Sequence, residues 1–112
     1  MWLDREVAGV TAAALMCRAE VFDRVGGFSL EFPGNYNDVD FCMKVRSEGF
    51  RVVVTPHASL YHFESATRDP TVVTGELEGI RTRWWEWTHA DPYYNPNHTP
   101  GVDGYPDPVT YP

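Results

Sequence analysis

A mixed α/β domain is what this sequence predicts, and three stretches carry the prediction. Asn35 to Gly49 opens with small polar residues, takes on an apolar pattern of helical period and stops at a glycine. Phe50 to Thr55 is a β-branched run that reads as a strand. Val7 to Cys17 is nearly continuous and apolar, as in a strand buried on both faces, although its three consecutive alanines leave a helix open. Close packing inside a core explains its small residues, Gly9 and Ala12 to Ala14, as well as the approach of a ligand or a second backbone does.

The remaining elements fall between these. Arg18 to Val25 predicts a short helix with Val21, Phe22 and Val25 on its apolar side, stopped by Gly26-Gly27. Phe28 is expected to anchor the following turn in the core. Ser29 to Tyr36, with Pro33 and Gly34, is a loop that delivers the chain to the central helix. Asn37 or Asp38 is the expected N-cap of that helix, and Gly49 the left-handed residue that ends it. Ala58 to Phe63 is a second short strand or extended segment. Asp69-Pro70 is a helix start, and Val73, Leu77, Ile80, Trp84 and Trp87 recur at helical spacing to about His89, with Gly75 and Gly79 weakening the helix by up to about 1 kcal/mol each. From Asp91 the chain holds six of its nine prolines and several tyrosines, so 91–112 is read as an irregular tail whose aromatics pack against something. Residues 1–112 thus form a single domain, with no repeat or linker, and with few strands for a self-sufficient sheet.

Composition limits the partners. The hydrophobic fraction is 43% and the aromatic fraction 14%, enough for a core. A formal charge of −7 argues against nucleic acid, which needs clustered Lys and Arg, and against an anionic membrane as an unaided partner. Cys17 and Cys42 lie far apart in apolar segments, read as two buried thiols of a reducing compartment, without a zinc spacing. No apolar run reaches the roughly 20 residues needed to cross a bilayer.

Chemistry could gather at one rim. Asp38 and Asp40 sit in the first turn of the central helix, where the helix dipole favours negative charge. The plain reading of such residues is a cap and a dipole partner. His62 ends the second extended segment, and the loop from Glu64 to Arg68 follows it. A carboxylate beside a neutral imidazole suits divalent-metal binding or acid–base work, while a lone histidine is more often a structural one. An EF-hand reading fails, because counting from Asp38 puts Met43 at the glycine position and Gly49 at the final glutamate position. No phosphate-cradling glycine motif or nucleophile elbow is present.

Four blocks in order carry a resemblance. They are Thr11 to Phe28, Asn37-Asp-Val-Asp-Phe-Cys42, Gly49-Phe-Arg-Val-Val-Val-Thr-Pro56 and Leu60-Tyr-His-Phe-Glu-Ser65. Together they resemble the C-terminal half of the catalytic domain of a family 2 glycosyltransferase, the GT-A fold. The tail from Trp84-Trp85 to Asn97 is similar to the segment that follows in bacterial, rhamnosyltransferase-like members. The resemblance implies a partial GT-A fold lacking the N-terminal nucleotide-binding half with its Asp-x-Asp, and so a fragment, inactive alone, of an inverting glycosyltransferase. It assigns the catalytic base to Asp38. Asn37 stands where the family usually has glutamate, and Asn37 and Asp40 are the residues expected to border the substrate, Asp40 also stabilising the helix start. His62 falls where some members ligate a divalent metal, Mg²⁺ or Mn²⁺ in the complete enzyme. Gly26, Gly27 and Phe28 match the family's turn ahead of the acceptor-side loop.

The implied partners are a nucleotide-sugar donor and a carbohydrate or lipid-linked acceptor, and the implied place is the cytoplasm, at the inner face of the membrane for the full-length protein. Loss of sheet neighbours around 7–17 would expose an apolar edge and favour a homo-oligomer. Two other classes compete: a non-catalytic carbohydrate-binding module stacking sugars on Trp84, Trp85, Trp87, Tyr93 and Tyr94, and a purely self-associating domain. Aromatic residues at such spacing more often pack a helix onto a core.

Overall fold

Helix termination is where residue chemistry first becomes visible in the fold. The computed structural model describes residues 3–63 and 74–93. Their order is β1 (Arg5–Glu6), a 3-10 turn (Ala12–Ala14), α1 (Ala19–Val25), α2 (Asn37–Ser47), β2 (Val53–Val54), α3 (Thr74–Arg83) and α4 (Trp85–His89). Gly49, at φ +85°, ends α2 as expected: its N–H donates to the Arg46 carbonyl and that of Phe50 to the Val45 carbonyl. This is the paired closure that a left-handed residue after a helix permits, and Phe50 packs back on Val45. Gly26, at φ +79°, and Gly27 close α1 in the same way on Asp23 and Phe22.

The core is small and centred on α2, which buries Asp40, Phe41, Cys42, Met43 and Val45. Phe41 and Val45 meet Val21 of α1, with Leu15, Val25, Phe50 and Val52 packed around them. Each such side chain, once buried, contributes about 1.5–3 kcal/mol. Phe28, the expected anchor, stays 43% exposed, with its ring against Phe22 and Phe41. The loop is anchored instead by Phe32, 2% exposed.

The described residues form a mixed helix-and-strand domain, consistent with the α/β expectation, but with less sheet than predicted. β1 and β2 make a two-residue antiparallel ribbon, Arg5 opposite Val54 and Glu6 opposite Val53, extended by one bond from the Val7 N–H to the Val52 carbonyl. The expected strand over 7–17 does not form. Beyond Val7 the backbone turns to α2: the Val10 N–H donates to Cys42 Sγ, and Thr11 caps a 3-10 turn through the alanines. Alanine has little strand preference, and no further strand lies beside this segment among the described residues. The run 50–55 likewise keeps only Val53–Val54 as strand, and Ala58–Phe63 is irregular.

The single helix expected from Thr71 to His89 is two helices that break at Trp84, whose φ −119° and ψ 35° lie outside the helical range. The Asp69-Pro70 helix start, the loop 64–68 and nearly all of the tail lie outside the described residues. Of the tail, Tyr93 is placed. Its ring lies 5.2 Å from the Arg46 guanidinium and its hydroxyl donates to Glu6, while the residue stays exposed. Among the described residues no helix is long and apolar enough to cross a membrane.

Candidate functional site

The first turn of α2 does not begin as predicted. Neither Asn37 nor Asp38 is the N-cap. Tyr36 takes that position with a left-handed backbone, φ 62° and ψ 6°, and its carbonyl accepts the Asp40 N–H at 2.9 Å. Asp38 is then the second helical residue, where an anion meets the positive end of the helix. Its Oδ1 accepts the Val39 N–H at 2.9 Å and its Oδ2 accepts the Ala12 N–H at 3.0 Å. The carboxylate is half-buried, so it is oriented by two backbone donors while open to solvent. An ionised carboxylate offers about four acceptor positions, and two remain for a ligand's hydroxyl. Asn37 stands beside it, also half-buried.

The small residues of 7–14 now have a stated role. Cys42, one turn after Asp38, receives the Val10 N–H, and a Cβ on Gly9 would lie 3.4 Å from that of Cys42. Asp38 and Cys42 therefore pin the segment 9–12 against α2. Burial pushes the Cys42 thiol up. Cys17, expected to be buried as well, is exposed because the strand that would have enclosed it is absent.

Asp40 is a different case from the expectation that it borders the substrate. It is fully buried. Its oxygens accept hydrogen bonds from Ser29 Oγ, from Arg83 Nη1 at 3.1 Å and from Trp84 Nε1 at 2.8 Å, with Lys44 Nζ at 3.6 Å. Burial works to raise this carboxyl, but the hydrogen bonds from Ser29, Trp84 and Arg83 and the charge of Lys44 together hold it below its usual range. Such a group ties the 29–36 loop, α2 and the α3–α4 break together, and has no face left for a substrate. Arg83 also pairs with Glu31, and Lys44 donates to the Gly27 carbonyl.

His62 does not join this group. It is exposed, and no hydrogen bond or ion pair links it to the described residues around Asp38. Among the described residues no three His, Cys, Asp or Glu side chains come together as a cation's ligands. The described residues by themselves therefore assemble no site for a Mg²⁺ or Mn²⁺ ion. Motif reading missed Glu76. It is 7% exposed and accepts the Gly34 N–H at 2.8 Å and the Asn35 N–H at 3.1 Å. A lone glutamate in a charged helix carries no sequence signal of such a contact.

The aromatic cluster is mostly occupied internally. Trp84 donates to Asp40 and stacks obliquely on Trp87, with ring centres 5.5 Å apart, while Arg46 lies 4.6 Å from the centre of the Trp87 ring. Trp85 is 60% exposed. An open cleft of about 420 Å³ is lined by Ala12, Leu15, Met16, Cys17, Phe22 and Phe28, an apolar surface without a catalytic group.

No family model matches the chain, and no solved structure matches it. Two curated relatives do. The uncharacterised protein y4gI of Sinorhizobium fredii is 40% identical over 103 residues, which cover 85% of this chain and 11% of the relative. The O-antigen biosynthesis protein RfbC of Myxococcus xanthus is 36% identical over 98 residues, covering 85% of this chain and 8% of the relative. The chain thus spans about a tenth of the length of the relatives it matches, and over most of its own length it is similar to a segment of a protein named for O-antigen biosynthesis.

Proposed function

We propose that this chain is the acceptor-side part of the catalytic domain of an inverting glycosyltransferase of GT-A type, family 2, with Asp38 as the general base. The observation that carries the reading is an aspartate at the head of α2, half-open to solvent and held by two backbone N–H groups, within a segment 36% identical to an O-antigen biosynthesis protein. In this reading a hydroxyl of a carbohydrate or lipid-linked acceptor donates its proton to Asp38. As the O–H bond breaks, that oxygen attacks the anomeric carbon of a nucleotide sugar. The anomeric C–O bond to the diphosphate breaks, and the nucleoside diphosphate leaves with its electron pair. A carboxylate is a weak base for this task, so much of the acceleration comes from holding acceptor and donor in line. The two N–H groups on Asp38 serve that positioning.

The donor-binding half is assigned to other polypeptide of the whole protein, so residues 1–112 by themselves are expected to turn over no nucleotide sugar. In a polypeptide that also carries a donor-binding half, Asp38→Asn should lower transfer at least about 100-fold, the lower bound for loss of a positioned base. A coupled assay of nucleoside diphosphate release reads both. Turnover by 1–112 alone would overturn the division of labour, and an unchanged rate in Asp38→Asn would overturn the base. The carbohydrate-binding alternative is less favoured, because Trp84 and Trp87 are spent on Asp40 and Arg46.

A further inference from the structure

Glu76 has no part in the chemistry just described, yet it is one of two buried acidic side chains among the described residues. It reaches from the first turn of α3 to the loop ahead of α2. Its Oε1 accepts two consecutive backbone N–H groups, of Gly34 and Asn35, and its Oε2 accepts Asn35 Nδ2 at 3.2 Å. A Cβ on Gly34 would stand 3.4 Å from both carboxylate oxygens, so the loop backbone lies directly on the carboxylate. The next residue, Tyr36, is the positive-φ non-glycine of the described chain. A residue with a Cβ avoids that conformation unless its surroundings hold it there. Two residues later comes Asp38.

We infer that Glu76 is a positioning residue for Asp38. By fixing the two N–H groups immediately before Tyr36, it keeps that residue left-handed. It thereby sets the direction in which Asn37 and Asp38 enter α2. The Asp40 cluster cannot do this, since it grips the loop at its other end, at Ser29. Only an acid offers acceptors alone to all three donors, whereas glutamine would turn an NH₂ toward one of them. The inference rests on the reading of Asp38 as the base for its functional meaning, but not for its geometry.

Amide hydrogen exchange on residues 1–112 tests the geometry. In Glu76→Ala the Asp40 amide, whose acceptor is the Tyr36 carbonyl, should lose protection about tenfold or more, as expected for losing one well-made hydrogen bond's support. The Gly49 and Phe50 amides, bonded at the far end of α2, should hold theirs. Adding Tyr36→Gly should restore protection at Asp40, because glycine takes a positive φ unaided. Glu76→Gln should fall between wild type and alanine, and it reads the same amides if the alanine variant fails to fold. Unchanged exchange at Asp40, uniform loss along α2, or no recovery on adding Tyr36→Gly would each overturn the inference.

Transfer separates the two readings. In the donor-half polypeptide Glu76→Ala should lower kcat while leaving the donor KM in place, and Tyr36→Gly should recover part of the loss. If exchange behaves as expected but Asp38→Asn transfers normally, the glycosyltransferase reading falls and the Glu76 geometry stands. If Asp38→Asn abolishes transfer and exchange in Glu76→Ala is unchanged, the Glu76 inference falls alone.

Discussion

Asp38 and Asp40 are two residues apart on one helix, and their surroundings give them opposite uses. Asp38 has two backbone donors and an open side. Replacing it by asparagine keeps one acceptor oxygen, so its cost to folding should be near 1 kcal/mol, far smaller than its effect on transfer. Asp40 has three side-chain donors and an ammonium around it, with no exposed surface. Asp40→Asn should destabilise by about 2–3 kcal/mol in urea unfolding at neutral pH, less than a wholly buried pair because Arg83 can rehydrate. The sign of its pH dependence follows from the lowered carboxyl. A carboxyl depressed by folding contributes fully above its unfolded value, near pH 4, and loses that contribution as pH falls through the lower folded value. The stability gap between wild type and Asp40→Asn should therefore narrow below about pH 4, and a gap that stays constant to pH 2 would refute the assignment. The two cysteines give a simpler contrast. Exposed Cys17 should take up one equivalent of alkylating agent quickly, and buried Cys42 only on unfolding, as mass spectrometry would read.

At the scale of elements, α3 shows how one residue type can act in two ways. Gly75 has open space where a side chain would go, whereas a Cβ on Gly79 would come within 3.2 Å of the Phe32 ring. Phe32 is buried and carries Arg83 over its face at 5.4 Å, so it has little room to yield. Gly75→Ala should raise stability by about 0.5 kcal/mol through helix propensity. Gly79→Ala should lower it by about 1–3 kcal/mol through overpacking, with both read from thermal midpoints. Helical periodicity treated the two glycines alike. It could not distinguish them, since the difference lies in a loop residue 47 positions earlier in the chain. The break at Trp84 has a related origin: Arg83 and Trp84, adjacent in sequence, both reach Asp40, which a continuous helix would separate by about 100°.

For the whole molecule, the unformed strand over 7–17 has consequences at the surface. Met16 is 97% exposed and Phe28 43%, on the cleft they line with Leu15 and Phe22. Apolar surface gathered in one concave area favours association. We expect sedimentation velocity to show species that grow with concentration, and Met16→Lys combined with Phe28→Ser to return the chain to monomer. A concentration-independent monomer would count against the self-association expected for this chain.

How far the sequence reaches is set by the range of the forces involved. Helices α1 and α2 and their glycine stops were legible, because a period of 3.6 and a left-handed residue act within a few positions. So was an aspartate at the head of α2. What partnered it was not. The strand expected over 7–17 needed a neighbour that no local pattern supplies, and Val10 and Ala12 turned to Cys42 and Asp38 instead. Asp40 and Glu76 were placed by donors 11 to 44 residues away, from Ser29 to Trp84 for one and at Gly34 and Asn35 for the other. Buried carboxylates must find such donors wherever the fold brings them, so which acid faces solvent and which faces inward was decided only by tertiary packing.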